Sequence, residues 1–180
     1  GRLRPHQPDG VGFDAAVQLV ASSYSELFAL TNSLGLSDRL VRSPGRDALW
    51  RKGRAHTLRY GSIGSMVTST ALPTSLKLKL GTQYLPFLTR HARLDLHDLT
   101  QPESLKLDNE SIRDWGAREL SADFVELLAY PLLGAYYGAA PEQVSASFYH
   151  ALARTGLDVS VFAALGGMGT LAGDMANELA

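Results

Sequence analysis

Along the first third of the chain, short alternating runs of apolar and polar residues frame one stretch with helical spacing. Leu3 to Gln7 and Val11 to Val20 read as the two strands of a hairpin. Between them, Pro8-Asp9-Gly10 is a turn, since proline presets φ and glycine accepts a positive one. Ser22 or Ser23 then caps a helix through Leu34, with Leu27, Leu30 and Leu34 on one face and Gly35 placed to end it. Leu40 to Arg42 forms a short strand. Ala48 to Arg51 and Arg54 to Tyr60 form a second hairpin around Lys52-Gly53.

From Ser62 to Arg93 the period becomes helical, interrupted by Pro73, Gly81 and Pro86. Pro73 opens a helix at no cost in hydrogen bonds, and Pro86 kinks one. Ser75 to Leu80 alternates perfectly, as a strand would, but Tyr84, Leu85, Phe87 and Leu88 continue it without a turn, which favours helix. Residues 94–107 are polar and irregular and read as a loop. Asp108 to Ser111 opens a helix carrying Ile112 and Trp115 and pausing at Leu120, with Gly116 in its middle. Ser121 caps the next, which Pro131 bends. That helix is apolar nearly all round and is expected to be buried. A further helix runs from Pro141 to about Arg154 and ends at Gly156. A strand, Val159 to Leu165, a glycine turn, Gly166 to Gly169, and a helix from Thr170 close the chain. The pattern predicts an α+β fold: mixed β-hairpins packed with a mostly helical, apolar half.

With 180 residues, 45% of them hydrophobic, the chain can build one full core or two small lobes. A net charge of -1 gives no reason to expect nucleic acid. Without cysteine, disulfides, thiolate catalysis and thiolate metal sites are excluded; a reducing compartment, the cytoplasm, fits. No apolar run is long enough to span a membrane. The chain starts without Met and strand-like from its first residues, so a piece of a longer protein is expected.

Chemistry has few candidates. Gly167-x-Gly169-x-x-Ala172, between a strand and a helix, matches the dinucleotide fingerprint, yet too few residues follow for the second strand and its acidic ribose ligand. A structural turn is the better reading. His6, His56, His91, His97 and His150 include no pair at the spacing of a helical metal site, and His91 and His97 with Asp95 and Asp98 read as solvated loop residues. No metal is expected. No Gly-x-Ser-x-Gly elbow occurs; Gly61-Ser62-Ile63-Gly64 reads as a loop and helix cap. Residues 75–93 mix Leu, Tyr and Phe with Lys, Arg and His, which fits a core-facing helix with a basic edge, or a peripheral membrane contact. Tyr130, Tyr136 and Tyr137 read as pocket lining or as core aromatics with one wet end.

Several ordered segments resemble the flavin-dependent amine oxidase superfamily, and most closely its protoporphyrinogen oxidase branch. Gly1-Arg2 is similar to the end of its Gly-Gly-Arg motif. Phe13-Asp14-Ala15-Ala16-Val17-Gln18 is similar to its Phe-Asp-x-Gly-x-Gln pattern, with Ala16 where glycine is usual. Leu27 to Val41 and Lys52-Gly53-Arg54 resemble passages that follow. Glu110 to Leu120 resembles the family helix that precedes a buried one; Phe124 to Leu128, Pro131, Gly134 to Pro141 and Val144-Ser145 resemble the pocket-lining stretch, and Gly166-Gly167-Met168 with Leu171 the return to the FAD-binding domain. Ser121 replaces the glycine and Ala140 the aspartate common there. The resemblance implies a hairpin at the edge of the FAD-binding domain over 1–20, a substrate-binding domain over 21–165, and a return segment over 166–180. It implies FAD in the intact protein, touched by Gly1 and Arg2, with Ala16 and Gln18 near the flavin ring. The true nucleotide motifs would lie outside this chain, which then would not retain FAD alone. Leu128, Leu132 and Tyr136 would face an apolar, protoporphyrinogen-like substrate that gives up a hydride to the flavin. The contrasting expectation is a non-catalytic domain for an apolar ligand or a protein partner.

Overall fold

The computed structural model describes residues 5–6, 13–14, 19–43, 47–59, 61–157 and 159–180. In chain order these form β1 (Pro5–His6), β2 (Phe13–Asp14), β3 (Val20–Ala21), α1 (Ser25–Ser33), β4 (Leu40–Arg42), β5 (Asp47–Arg51), β6 (Arg54–Leu58), α2 (Ile63–Thr68), α3 (Thr74–Lys79), α4 (Leu85–Arg90) and α5 (Pro102–Leu107). Then come α6 (Ile112–Glu119), α7 (Ala122–Phe124), α8 (Tyr130–Tyr137), α9 (Ala146–Gly156), β7 (Val161–Ala164) and α10 (Met168–Glu178). The fold is α+β, as the pattern predicts. Two compact units form, one from residues 1–45 with 159–180 and one from 46–158.

In the first unit β7 pairs antiparallel with both β3 and β4, and β1 pairs antiparallel with β2. The predicted hairpin is therefore present, but Val20 leaves it for the three-stranded sheet. Its turn, Pro8-Asp9-Gly10, lies outside the described residues. Val20, Leu40, Met168 and Leu171 form the core, with Leu27, Phe28, Phe162 and Met175 against it. Phe28 meets Phe162 edge-on at 5.0 Å between ring centres. Gly35 ends α1 with φ of 70°, as expected. The start of α1 differs from expectation: Tyr24 stands at the N-cap, and the Ser22 hydroxyl accepts from the Ser160 amide instead. Along α1, Thr31 is the buried residue and Leu30 is exposed.

The second unit sets the β5–β6 hairpin beside helices. Lys52 and Gly53, at φ of 51° and 76°, make the predicted tight turn. The helix favoured over a strand for 75–80 is α3, opened by Pro73 at its N-cap. It runs through a π-helical turn, Leu80–Tyr84, into α4. A second π-turn, Val125–Ala129, joins α7 to α8. Each π-turn ends just before a proline, Pro86 or Pro131. A proline in an α-helix clashes with the carbonyl four residues earlier, and the wider turn relieves that clash. Where the sequence predicts kinks at Pro86 and Pro131, the helix instead widens into a π-turn ahead of each proline.

Ser111, Ser121 and Ser145 cap α6, α7 and α9 with hydroxyls that accept backbone N–H bonds. Ser121→Ala removes the bond from the Phe124 amide, at 3.3 Å, and is expected to destabilise this unit by about 1 kcal/mol in urea unfolding. An unchanged midpoint would show that the cap contributes nothing. Mid-helix Gly116 has a packing reason, since a Cβ there would stand 2.5 Å from the Phe124 ring. Residues 102–107 are not loop but α5, begun by Pro102 in its first turn. The core joins Leu58, Leu76, Leu88, Ile112, Phe124 and Leu133, among others.

Candidate functional site

The predicted substrate-facing residues follow one another at four-residue spacing, Leu128 in the π-turn and Leu132 and Tyr136 in α8, and their burial grades outward. Leu128 is 3% exposed and belongs to the core. Leu132 is half-buried against that core. Tyr136 is 51% exposed, and its hydroxyl donates to Asp47 Oδ1 on β5 at 3.1 Å. Burial and the neighbouring Asp47 carboxylate raise the pKa of the Tyr136 hydroxyl, so it remains a donor at neutral pH. Tyr137 stands edge-on to Phe148 at 5.5 Å, and the Tyr130 hydroxyl donates to Glu142 at 2.8 Å. The helix expected to be buried on all sides is thus exposed at Tyr130, Tyr136 and Tyr137, and the Tyr130 and Tyr136 hydroxyls reach acids. No sequence signal points to Asp47, because its partner lies 89 positions away. The group can bind and orient: an apolar stripe ends at a phenol and a carboxylate that accepts donors or a cation.

The histidines have other tasks. His56 is buried in the hairpin and bonds Thr70 Oγ1 at 2.8 Å and the Arg51 carbonyl at 3.2 Å. His91 pairs with Glu103 at 2.8 Å. His150 is fully buried among Trp115, Phe87, Tyr84 and Tyr149, and shares a 3.1 Å hydrogen bond with the Tyr84 hydroxyl through Nδ1. Among the described residues no three His, Asp or Glu side chains converge as metal ligands. In the 75–93 segment, Leu78 is exposed, while Leu85 is half-buried and Phe87 packs on the core. No helix among the described residues is long and apolar enough to cross a membrane.

The glycine turn between β7 and α10 has the form of a phosphate cradle. Gly166 and Gly167 both take positive φ, 76° and 92°, and α10 begins at Met168, two residues earlier than the sequence suggests. The cradle holds a side chain. Both oxygens of Asp14 accept from the Met168 amide, at 2.9 and 3.0 Å. A Cβ on Gly167 would stand 2.9 Å from the same carboxylate. Gly1, Arg2, Ala16 and Gln18, the predicted flavin contacts, lie outside the described residues.

The model of the flavin-containing amine oxidoreductases matches residues 1–180, and the chain belongs to that family. FAD is the cofactor this membership carries. The described residues do not fit its phosphates, because the one glycine cradle among them is filled by Asp14. In solved structures the chain is similar to wild-type putrescine oxidase bound to putrescine, at 16% identity and a TM-score of 0.67 over 99% of this chain and 41% of that one. A double mutant of the same enzyme gives 16% identity, and a triple mutant 17%, each with a TM-score of 0.67 over the same shares of the two chains. At such identity the likeness speaks to the fold alone. The chain spans about two fifths of the length of these structures, 41% of each. No curated protein matches the chain.

Proposed function

We propose that this chain is the substrate-facing portion of an FAD-dependent oxidoreductase that oxidises an apolar, protoporphyrinogen-like substrate, with 1–20 and 166–180 leading to the FAD-binding domain. The family match over the whole chain supports the flavin-dependent oxidation in this reading, and the apolar side chains of Leu128 and Leu132 support the apolar substrate. In the intact protein FAD, held by the FAD-binding domain, would supply the hydride acceptor. The chain itself contributes binding and orientation: Leu132 offers apolar surface, Leu128 supports it from the core, and Tyr136 fixes a polar edge of the substrate.

A second reading has its own observation. Asp47, held by the Tyr136 hydroxyl, is a carboxylate at the polar end of the apolar stripe, and a carboxylate is the natural partner of a substrate ammonium. The similar putrescine oxidase is described as bound to putrescine, so a diamine is the natural probe.

The test is anaerobic mixing of the FAD-loaded full-length protein with each donor while flavin absorbance is followed. A porphyrinogen that bleaches the flavin supports the first reading, and a diamine that does so supports the second. If neither bleaches it, both substrate assignments fall. Tyr136→Phe is expected to raise KM several-fold with kcat nearly unchanged, since the phenol only orients. An equal loss in kcat would instead give it a part in the chemistry.

A further inference from the structure

Asp14 and Met168 are 154 positions apart, and their contact joins β2 to the start of α10. The first amide groups of a helix have no partner within it and carry a partial positive charge. Helix starts behind glycine turns therefore attract anions, and nucleotide-binding folds use them for phosphate. All the parts are present here. Two successive glycines at positive φ expose the backbone, the following helix is eleven residues long, and Gly167 is bare where an anion lies against it. A methyl on Gly167 would meet Asp14 Oδ1 at 2.9 Å and Oδ2 at 3.1 Å, so the carboxylate lies directly over the glycine. The turn is held from its other side by the Gly167 amide, which donates to the Ala164 carbonyl at 3.0 Å, and by the Thr170 hydroxyl, which donates to the Gly166 carbonyl at 2.7 Å.

From this geometry we infer that the Gly166-Gly167 turn with the Met168 amide is an internal carboxylate receptor whose ligand is Asp14, and that Asp14 is a positioning residue. The Gly167-x-Gly169-x-x-Ala172 pattern then has a defined use without a nucleotide: it docks β2 onto α10. A phosphate and Asp14 cannot share the cradle, since both would need the Met168 amide and the space over Gly167. The consequence for oxidation rests on the proposed function. Asp14 stands two positions before Ala16 and four before Gln18, so the clamp anchors the chain next to the segment expected at the flavin.

The assay is amide hydrogen exchange and a proton–nitrogen correlation spectrum of the isotope-labelled chain, with inorganic pyrophosphate as the competing probe. In the unaltered chain the Met168 amide is expected to be protected and unmoved by pyrophosphate. In Asp14→Ala its exchange is expected to speed up by at least about tenfold, because the charge-assisted bond to Asp14 is its one partner among the described residues. Equal protection in the variant would overturn the assignment, and so would a Met168 shift on adding pyrophosphate to the unaltered chain. Should Asp14→Ala not fold, Asp14→Asn carries the test. It keeps the shape and one acceptor but no charge, and exchange is expected to rise several-fold; unchanged exchange overturns the clamp. Neither reading involves flavin reduction, so the proposed activity can fail while the clamp stands, and the reverse.

Discussion

Replacing Gly61 by alanine is expected to remove about 4 kcal/mol from the stability of the 46–158 unit. Two effects combine. Gly61 holds φ at 77°, a conformation that costs a residue with a Cβ about 1–2 kcal/mol. The new methyl would also overlap the Gly156 carbonyl oxygen and lie 2.9 Å from the carbonyl carbon. Backbone cannot rotate away as a side chain can, so the end of α9 or the turn after β6 has to move. Urea unfolding, read through helix content, checks this. Gly134→Ala is the control, because nothing lies within 4 Å of its would-be Cβ and it sits inside α8, where alanine gains up to about 1 kcal/mol. If the two variants unfold at the same midpoint, the close approach of Gly61 to Gly156 is wrong.

Acid should weaken the same unit through His150. Burial, and secondarily the charge of His91, lowers its pKa from 6.5 to about 3. The groups facing it are the Tyr84 hydroxyl and the rings of Phe87, Trp115 and Tyr149, together with His91 from the end of α4, and none of them offers a negative charge at neutral pH. The unfolded chain therefore binds a proton that the folded chain refuses. Stability is fully present above about pH 6.5 and is lost as pH falls toward about 3. Between about pH 7 and about pH 5 the loss is about 2 kcal/mol. The surface carboxylates whose pKa values are lowered by hydrogen bonds, Glu110 by Arg118 and Asp98 by Thr100, stay ionised in the folded state across that window. Urea unfolding of the unaltered chain and of His150→Leu at both pH values isolates the effect. The variant should lose its share of the pH dependence, and identical pH slopes would rule His150 out as the cause.

Local signals in the sequence were reliable where backbone conformation decides. Lys52-Gly53, Gly35, Pro73 and the serine caps at 111 and 121 each constrain one or two residues, and each holds in the fold. Proline proved ambiguous at 102, where it marks the first turn of α5 rather than a loop. The glycine run 166–169 reads as one turn, yet Gly169 already lies inside α10. Apolar periodicity cannot separate a pocket wall from a core, which is why Leu128 and Tyr136 look equivalent in sequence and differ so widely in exposure. The pairs that define the two candidate sites, Tyr136 with Asp47 and Asp14 with Met168, join distant positions that no spacing rule connects.

The two π-turns bear on how chain length can vary in this fold. A π-turn is an α-helix that has accepted one extra residue, so its two flanking helices continue on one axis with their faces out of phase by about 100°. Removing a single residue within 80–84 or 125–129 would restore ordinary helix and leave both halves intact. The outer half would turn as a rigid piece, and in α8 that rotation would carry Tyr136 away from Asp47. Relatives with a one-residue gap at 125–129 should therefore keep the helix and present a different side chain to β5.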